Sequence, residues 1–200
     1  MSGGVRWSQR TTLKTKDASW LSGILAPLTK TGNGVNFPYT PTINMAHSAN
    51  YGSYDIAGSV YQPNYYVNTP NPQIDLTATF TAQSNTEAEY TAACLHFFKS
   101  VLKGDYGQQT RSTSGTPPPV LLLSSYGSMH LENTPVILRS FNYTLPEDLD
   151  YVTIETDGQL QTLPTQLLVS LSFTPQYPPT KVRKEFNINT YRSGKAGGFM

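Results

Sequence analysis

The sequence predicts a mainly β protein with one α-helix (α+β), in which that helix plugs a β architecture. Three observations lead there. Gln73–Gln83 and Gln166–Thr174 alternate between apolar and polar side chains, the pattern of half-buried strands. Only one stretch, Ser84–Gly104, places apolar residues at three- and four-residue steps. The rest is rich in turn formers and short β segments, with 15 Gly, 15 Pro and 13 Tyr among 200 residues.

Taken in order, Met1–Asn36 holds Gly3-Gly4, scattered basic residues and Gly32-Asn33-Gly34, and reads as an N-terminal basic arm. Within it Trp20–Leu25 is a short apolar patch that either anchors the arm or belongs to the domain's core. Strands are expected at Pro41–His47 and Tyr51–Val60, with Gly52 and Gly58 as bends. Gln62–Pro72, with three prolines, reads as a loop. In Gln73–Gln83, Ile74, Leu76, Ala78, Phe80 and Ala82 form one face, and Asp75, Thr77, Thr79 and Thr81 the other.

The helix follows directly. Ser84 and Glu87 have the spacing of a capping box, and Glu87 and Glu89 open the helix while Lys99 and Lys103 close it, as the helix dipole favours. Gly104 is the expected left-handed stop. Thr91, Cys94, Leu95, Phe98, Val101 and Leu102 make one stripe, and Tyr90 and Phe97 lie off it. Asp105–Pro118 is a Gly/Ser/Thr/Gln-rich loop of functional length. Strands are expected at Pro119–Ser125, Met129–Glu132, Val136–Leu145 and Gln166–Thr174, with an acidic turn at Pro146–Asp150. The domain plan is an arm over 1–36, a β domain over 37–180 with its helix at about 85–103, and a C-terminal basic tail over 181–200.

Charge is sparse and uneven. Only 14% of residues are charged, against about 25% in an average globular domain. Residues 1–30 carry five Lys/Arg and one Asp, and residues 181–200 carry five Lys/Arg and one Glu. The middle, 31–180, has four basic and eleven acidic residues, so basic ends flank an acidic body. Polar, weakly charged β sequences of this kind suit assemblies that bury surface against other chains. No apolar leader is visible in Met1–Gln9, and Val120–Leu123 is too short to span a bilayer, so cytosolic synthesis and no membrane partner are expected. The sequon Asn142-Tyr143-Thr144 then carries no glycan.

Motifs for catalysis or cofactors are lacking. His47, His96 and His130 are far apart and lack zinc-site spacing, and Gly127-Ser128-Met129-His130 is not a nucleophile elbow. Gly32-Asn33-Gly34 has no following Lys-Ser/Thr. Glu147, Asp148 and Asp150 read better as a turn than as a calcium loop. Cys94 reads as a small buried hydrophobe. No enzyme, cofactor or metal is expected.

Several runs are recognisable together: Gly115-Thr116-Pro117-Pro118-Pro119-Val120-Leu121, Thr134-Pro135-Val136-Ile137-Leu138, and Ser140-Phe141-Asn142-Tyr143-Thr144-Leu145-Pro146 continuing into Asp148-Leu149-Asp150-Tyr151-Val152. With Leu163-Pro164-Thr165, Phe173-Thr174-Pro175-Gln176-Tyr177, Ala78–Gln83 and His96–Ser100, these resemble the baseplate tail-tube and tail-tube initiator proteins of contractile-tailed bacteriophages. The resemblance covers roughly Phe37–Phe186, and residues 1–36 are short for an initiator with a larger N-terminal module.

The resemblance implies a tail-tube fold, a β-sandwich or barrel flanked by a single helix, assembled as a hexameric ring in the virion and linking the baseplate hub to the tail tube. Its expected partners are five further copies, hub proteins, the adjacent tube ring and the tape-measure protein, with DNA passing through without specific binding. Asp75, Glu147, Asp148 and Asp150 are then expected to face the lumen, and Tyr90 and Phe97 to meet a neighbouring subunit. The basic ends and the 105–118 loop are the expected contacts between rings or with the hub. The alternative is a carbohydrate-binding or adhesive β-sandwich, suggested by the 13 tyrosines and low charge.

Overall fold

The computed structural model describes residues 10–104, 115–127, 130–145, 147–156, 159–194 and 199. It is α+β: eleven strands and four helices among these residues, dominated by one seven-stranded antiparallel sheet. The chain runs β1 (Thr12–Thr15), a 3-10 helix (Gly23–Thr29), β2 (Gly34–Asn36), β3 (Thr42–Ala46), β4 (Asn50–Ser53), β5 (Asn64–Asn68), β6 (Gln73–Thr81) and α1 (Asn85–Val101). It continues through β7 (Leu121–Ser125), β8 (Leu131–Thr144), β9 (Tyr151–Thr156), β10 (Gln159–Pro164), β11 (Gln166–Pro175), α2 (Pro179–Glu185) and α3 (Ile188–Arg192). The expectation of a single helix is therefore corrected. The extra helices are short, and two of them bury no side chain, so the apolar periodicity that marks α1 is missing from them.

The main sheet has the order β2-β1-β7-β8-β11-β6-β3. Its edge strands, β2 and β3, are joined by residues 37–41 alone. Seven flat strands span about 29 Å between the outermost axes, whereas the six residue steps from Asn36 to Thr42 reach about 21 Å at most. The sheet therefore curls. It does so around its apolar face: Leu13 and Val35 from one limb share a core with Ile74, Leu76 and Phe173 from the other. Phe37, in the connection itself, lies between Phe80 and Phe98 at ring distances of 5.8 and 6.5 Å.

Alternation builds this core. In β6, Ile74, Leu76, Ala78 and Phe80 point inward, and in β11 Leu167, Val169, Leu171 and Phe173 do the same. The inward face is covered by α1, which packs on the 3-10 helix, β9, β6 and β8. Ser84 caps α1, accepting from the Glu87 amide at 3.4 Å, and Glu87 accepts in return from the Gln83 amide at 2.9 Å. The reciprocal bond thus falls one residue before the cap. Gly104 is not left-handed; α1 stops at a right-handed Leu102, and the Thr116 carbonyl oxygen lies 3.0 Å from where a Cβ on Gly104 would be.

The N-terminal boundary also moves. Residues from Thr11 to Asn36 supply β1, β2 and the 3-10 helix, with Leu13, Leu25, Leu28 and Val35 buried, so this stretch is core rather than arm. β1 is inconspicuous in the sequence because it has only four residues. Gln62–Pro72 is likewise not a plain loop: β5 sits between Pro63 and Pro70 and pairs with β4, the prolines only bounding it. The stretches expected as strands at Met129–Glu132 and Val136–Leu145 merge into β8, through Pro135. Most of the 105–118 loop, together with residues 1–9 and 195–198, lies outside the described residues.

Candidate functional site

One organised surface is the face of the main sheet that α1 does not cover. Antiparallel register puts directly opposed residues on one side. Asn44, Asp75, Ser172 and Ser140 form one row across β3, β6, β11 and β8, and Thr42, Thr77, Ser170 and Asn142 form the next. On the other limb the same side carries Thr12 beside Ser124 and Lys14 beside Leu122. The rows are hydroxyls and amides, wettable but almost uncharged. Gln73 crosses them, its Nε2 donating to Asp75 Oδ1 at 3.0 Å and to Ser172 Oγ at 3.2 Å.

Of the four acidic residues expected together, only Asp75 lies on these rows. Glu147, Asp148 and Asp150 are exposed on the turn between β8 and β9, at the Thr144 end of the β8–β11 ladder. The turn is tied down there: the Thr165 amide donates to the Asp150 carbonyl at 2.8 Å, and the Ala82 amide donates to the Thr165 carbonyl at 2.9 Å. Sequence proximity to β8 does not reveal that the turn lies beyond the end of these rows.

Phe97 offers no surface to a neighbour, and Tyr90 keeps only part of its side chain exposed, on a cleft with Tyr39 and Thr86. Phe97 has 0% exposure and stacks on Trp20 at 5.4 Å, 15° from parallel. The 3-10 helix and its flanks cover that side of α1, so the second face implied by Phe97 is met by the protein's own N-terminal region. Tyr90 is partly buried, and its hydroxyl bonds both backbone groups of Asn36. Desolvation, and next the adjacent Cys94, push the Tyr90 phenol well above its ordinary range. Burial pushes the Cys94 thiol up as well. Both groups stay protonated and neutral, so Cys94 is no nucleophile.

Two exposed features stand out, the first not legible as a site from the sequence and the second falling largely on the C-terminal basic tail already expected to make contacts. The first is the β4–β5 hairpin, all but free of the core, bearing Tyr51, Tyr54, Tyr61, Tyr65 and Tyr66 with Ile56, Val60 and Val67. Tyr54 stacks obliquely on Tyr65 at 4.5 Å, and Tyr51 meets Tyr66 edge-on at 5.9 Å. A two-stranded hairpin with eight large exposed apolar side chains is marginal alone in water. The second is the C-terminal segment, 178–194, whose helices expose Val182, Phe186, Ile188 and Tyr191.

Clefts are shallow. One of about 380 Å³ lies between Trp20, Val101, Lys103, Pro117 and Pro119, and another of about 290 Å³ between Lys16, Leu122, Tyr177 and Lys181. The first is also lined by Asp17, Ser19 and Ser100; Asp17 Oδ1 accepts from the Ser19 amide at 2.9 Å and Ser100 Oγ donates to the His96 carbonyl at 2.8 Å. Among the described residues no group of three or more His, Cys, Asp or Glu is placed to hold a metal, and no helix is long and apolar enough to cross a membrane. No protein-family model matches this chain, and no curated protein matches it in sequence.

Proposed function

We propose that the chain is a structural subunit of a phage tail tube, forming a ring near the baseplate that joins the hub to the tube polymer and leaves a channel for DNA and the tape-measure protein. The observation that carries this is the one-sided sheet: seven strands with α1 covering one face and hydroxyl and amide rows on the other. Six such faces joined edge to edge make a wet, weakly charged wall. With Asp75 offset by Lys14, that wall is close to neutral, whereas a strongly cationic wall would retain DNA by counterion release. Catalysis has no part in this reading.

The edges bear on ring closure. Tyr90 caps the β2 edge at Asn36, while among the described residues β3 pairs with β6 along one side only. An edge strand with one free side invites pairing with another chain, and a closed ring removes it. The hairpin, with its tyrosines, is the second surface suited to a neighbouring subunit. Electron microscopy of the purified protein tests the proposal: six-fold rings or tubes support it, and particles of single subunits at every concentration oppose it.

A carbohydrate-binding or adhesive role is the second reading, favoured by the five exposed hairpin tyrosines, since tyrosine rings stack on sugar faces. Glycan binding by a monodisperse monomer, lost on changing Tyr54 and Tyr65 to Ala, would select it.

A further inference from the structure

The two ends of the β8–β11 ladder differ in charge. At one end, where Leu168 pairs with Thr144, lie Glu147, Asp148 and Asp150, and the Asp150–Thr165–Ala82 bonds bring the start of α1 with exposed Glu87 to the same place. At the other end, where Pro175 pairs with Val136, the chain continues into α2 and α3 with Arg183, Lys184 and Arg192, and Lys16 lines the adjoining cleft beside Lys181. Seven residue steps separate the ends, about 23 Å of strand. Each end also exposes apolar side chains: Leu145 and Tyr151 at the acidic one, and Val182, Ile188 and the contacting pair Phe186–Tyr191 at the basic one.

α2 and α3 bury no residue. Lys181 pairs with Glu185 at 3.9 Å and Phe186 meets Phe199 edge-on at 5.7 Å, yet Arg183, Lys184 and Arg192 beside exposed Val182, Ile188 and Tyr191 still make a net basic, partly apolar surface on two short helices. The surface with matching chemistry, acids beside apolar groups, is on the far end of the same chain. We propose that residues 178–194 of one copy dock on the 145–151 turn and the start of α1 of a second copy, so that subunits associate head to tail along the strand direction. Because the two patches differ and lie at opposite ends, the contact is heterologous and does not close on itself, which gives a polar stack. The inference rests on the assembly reading only in taking a second copy as occupant; it needs neither six-fold symmetry nor a phage.

The test uses the full chain and two charge reversals. One carries Arg183→Glu, Lys184→Glu and Arg192→Glu; the other carries Glu147→Lys, Asp148→Lys and Asp150→Lys. Sedimentation velocity at low and high salt reads association, with circular dichroism checking the fold. The expected result is salt-sensitive association of the unaltered protein, about tenfold weaker or more in each reversal. Mixing the two reversals restores it, since each then meets an opposite end, and so does combining all six changes in one chain. A monomeric unaltered protein, reversals without effect, or a mixture that stays dissociated overturns the inference, as does loss of DNA binding without change in self-association. Six-fold rings that persist while stacking ignores the reversals would remove this inference alone; polar stacks without rings would remove the tube reading alone.

Discussion

The Tyr90 hydroxyl holds both backbone groups of Asn36, accepting from its amide at 2.7 Å and donating to its carbonyl at 2.9 Å. One side chain of α1 therefore completes the hydrogen bonding of an edge strand and fixes β2 against the helix. Tyr90→Phe keeps the ring and leaves both groups unmet. It should cost about 1–3 kcal/mol in denaturant unfolding and speed hydrogen exchange at Asn36. The loss should not depend on protein concentration. A concentration-dependent loss would return Tyr90 to an interface.

Phe97 and Trp20 stack inside the subunit, so Phe97→Ala should open a cavity in it. A destabilisation of about 3–5 kcal/mol is expected, with red-shifted tryptophan emission as Trp20 loses its neighbour. Urea unfolding followed by fluorescence checks this. A cost under about 1 kcal/mol would mean that the ring is not packed as described.

Burial keeps Cys94 and Tyr90 protonated in the folded state at pH values where the unfolded chain releases those protons. Above pH ~8.5 for the thiol and ~10 for the phenol the unfolded state binds fewer protons, so stability falls as pH rises. Each group contributes a slope of up to about 1.4 kcal/mol per pH unit. Cys94→Ala should remove the first part of that fall. The unaltered thiol should also resist alkylation at pH ~8 until denaturant is added.

Gly34 sits in β2 where a Cβ would overlap the Leu13 carbonyl oxygen and lie 2.6 Å from Lys14 Cα. Backbone atoms cannot step aside as a flexible side chain can. Gly34→Ala should cost about 1–3 kcal/mol or detach β2, visible as lost protection of the Leu13 and Val35 amides.

The β4–β5 hairpin holds no core residue. Replacing residues 50–68 by a short Gly-Ser turn should leave the far-ultraviolet spectrum of the remaining sheet and shift Tm by no more than a few degrees. Assembly, or glycan binding on the second reading, should disappear. A shortened chain that fails to fold would show that the hairpin supports the sheet.

β6 and β11 are legible in the sequence because each has one wet and one dry face over nine or more residues, and α1 because its cap and its three- and four-residue apolar steps run over 17 residues. β1 and β2, at four and three residues, are too short for that. Basic residues around them mask them further, although Leu13 and Val35 are as buried as any residue of β6. The β9–β10 hairpin escapes the sequence pattern despite Val152 and Ile154, since the acidic turn before it suggests surface. Phe97 misleads for a different reason. A stripe of one face describes a helix packed on one side, and α1 is packed on two, by the sheet and by the 3-10 helix.

The uncovered side of the sheet contributes almost nothing to what keeps the chain folded. Thr77, Ser170 and Asn142 lie on the wet side, while Leu76, Leu171 and Phe141 beside them lie against the core. Side chains on the wet rows can accordingly be exchanged for others of similar β preference with little effect on folding. This face can then be rewritten in charge or chemistry as a nearly independent variable, decoupled from the core packed on the other side of the same strands.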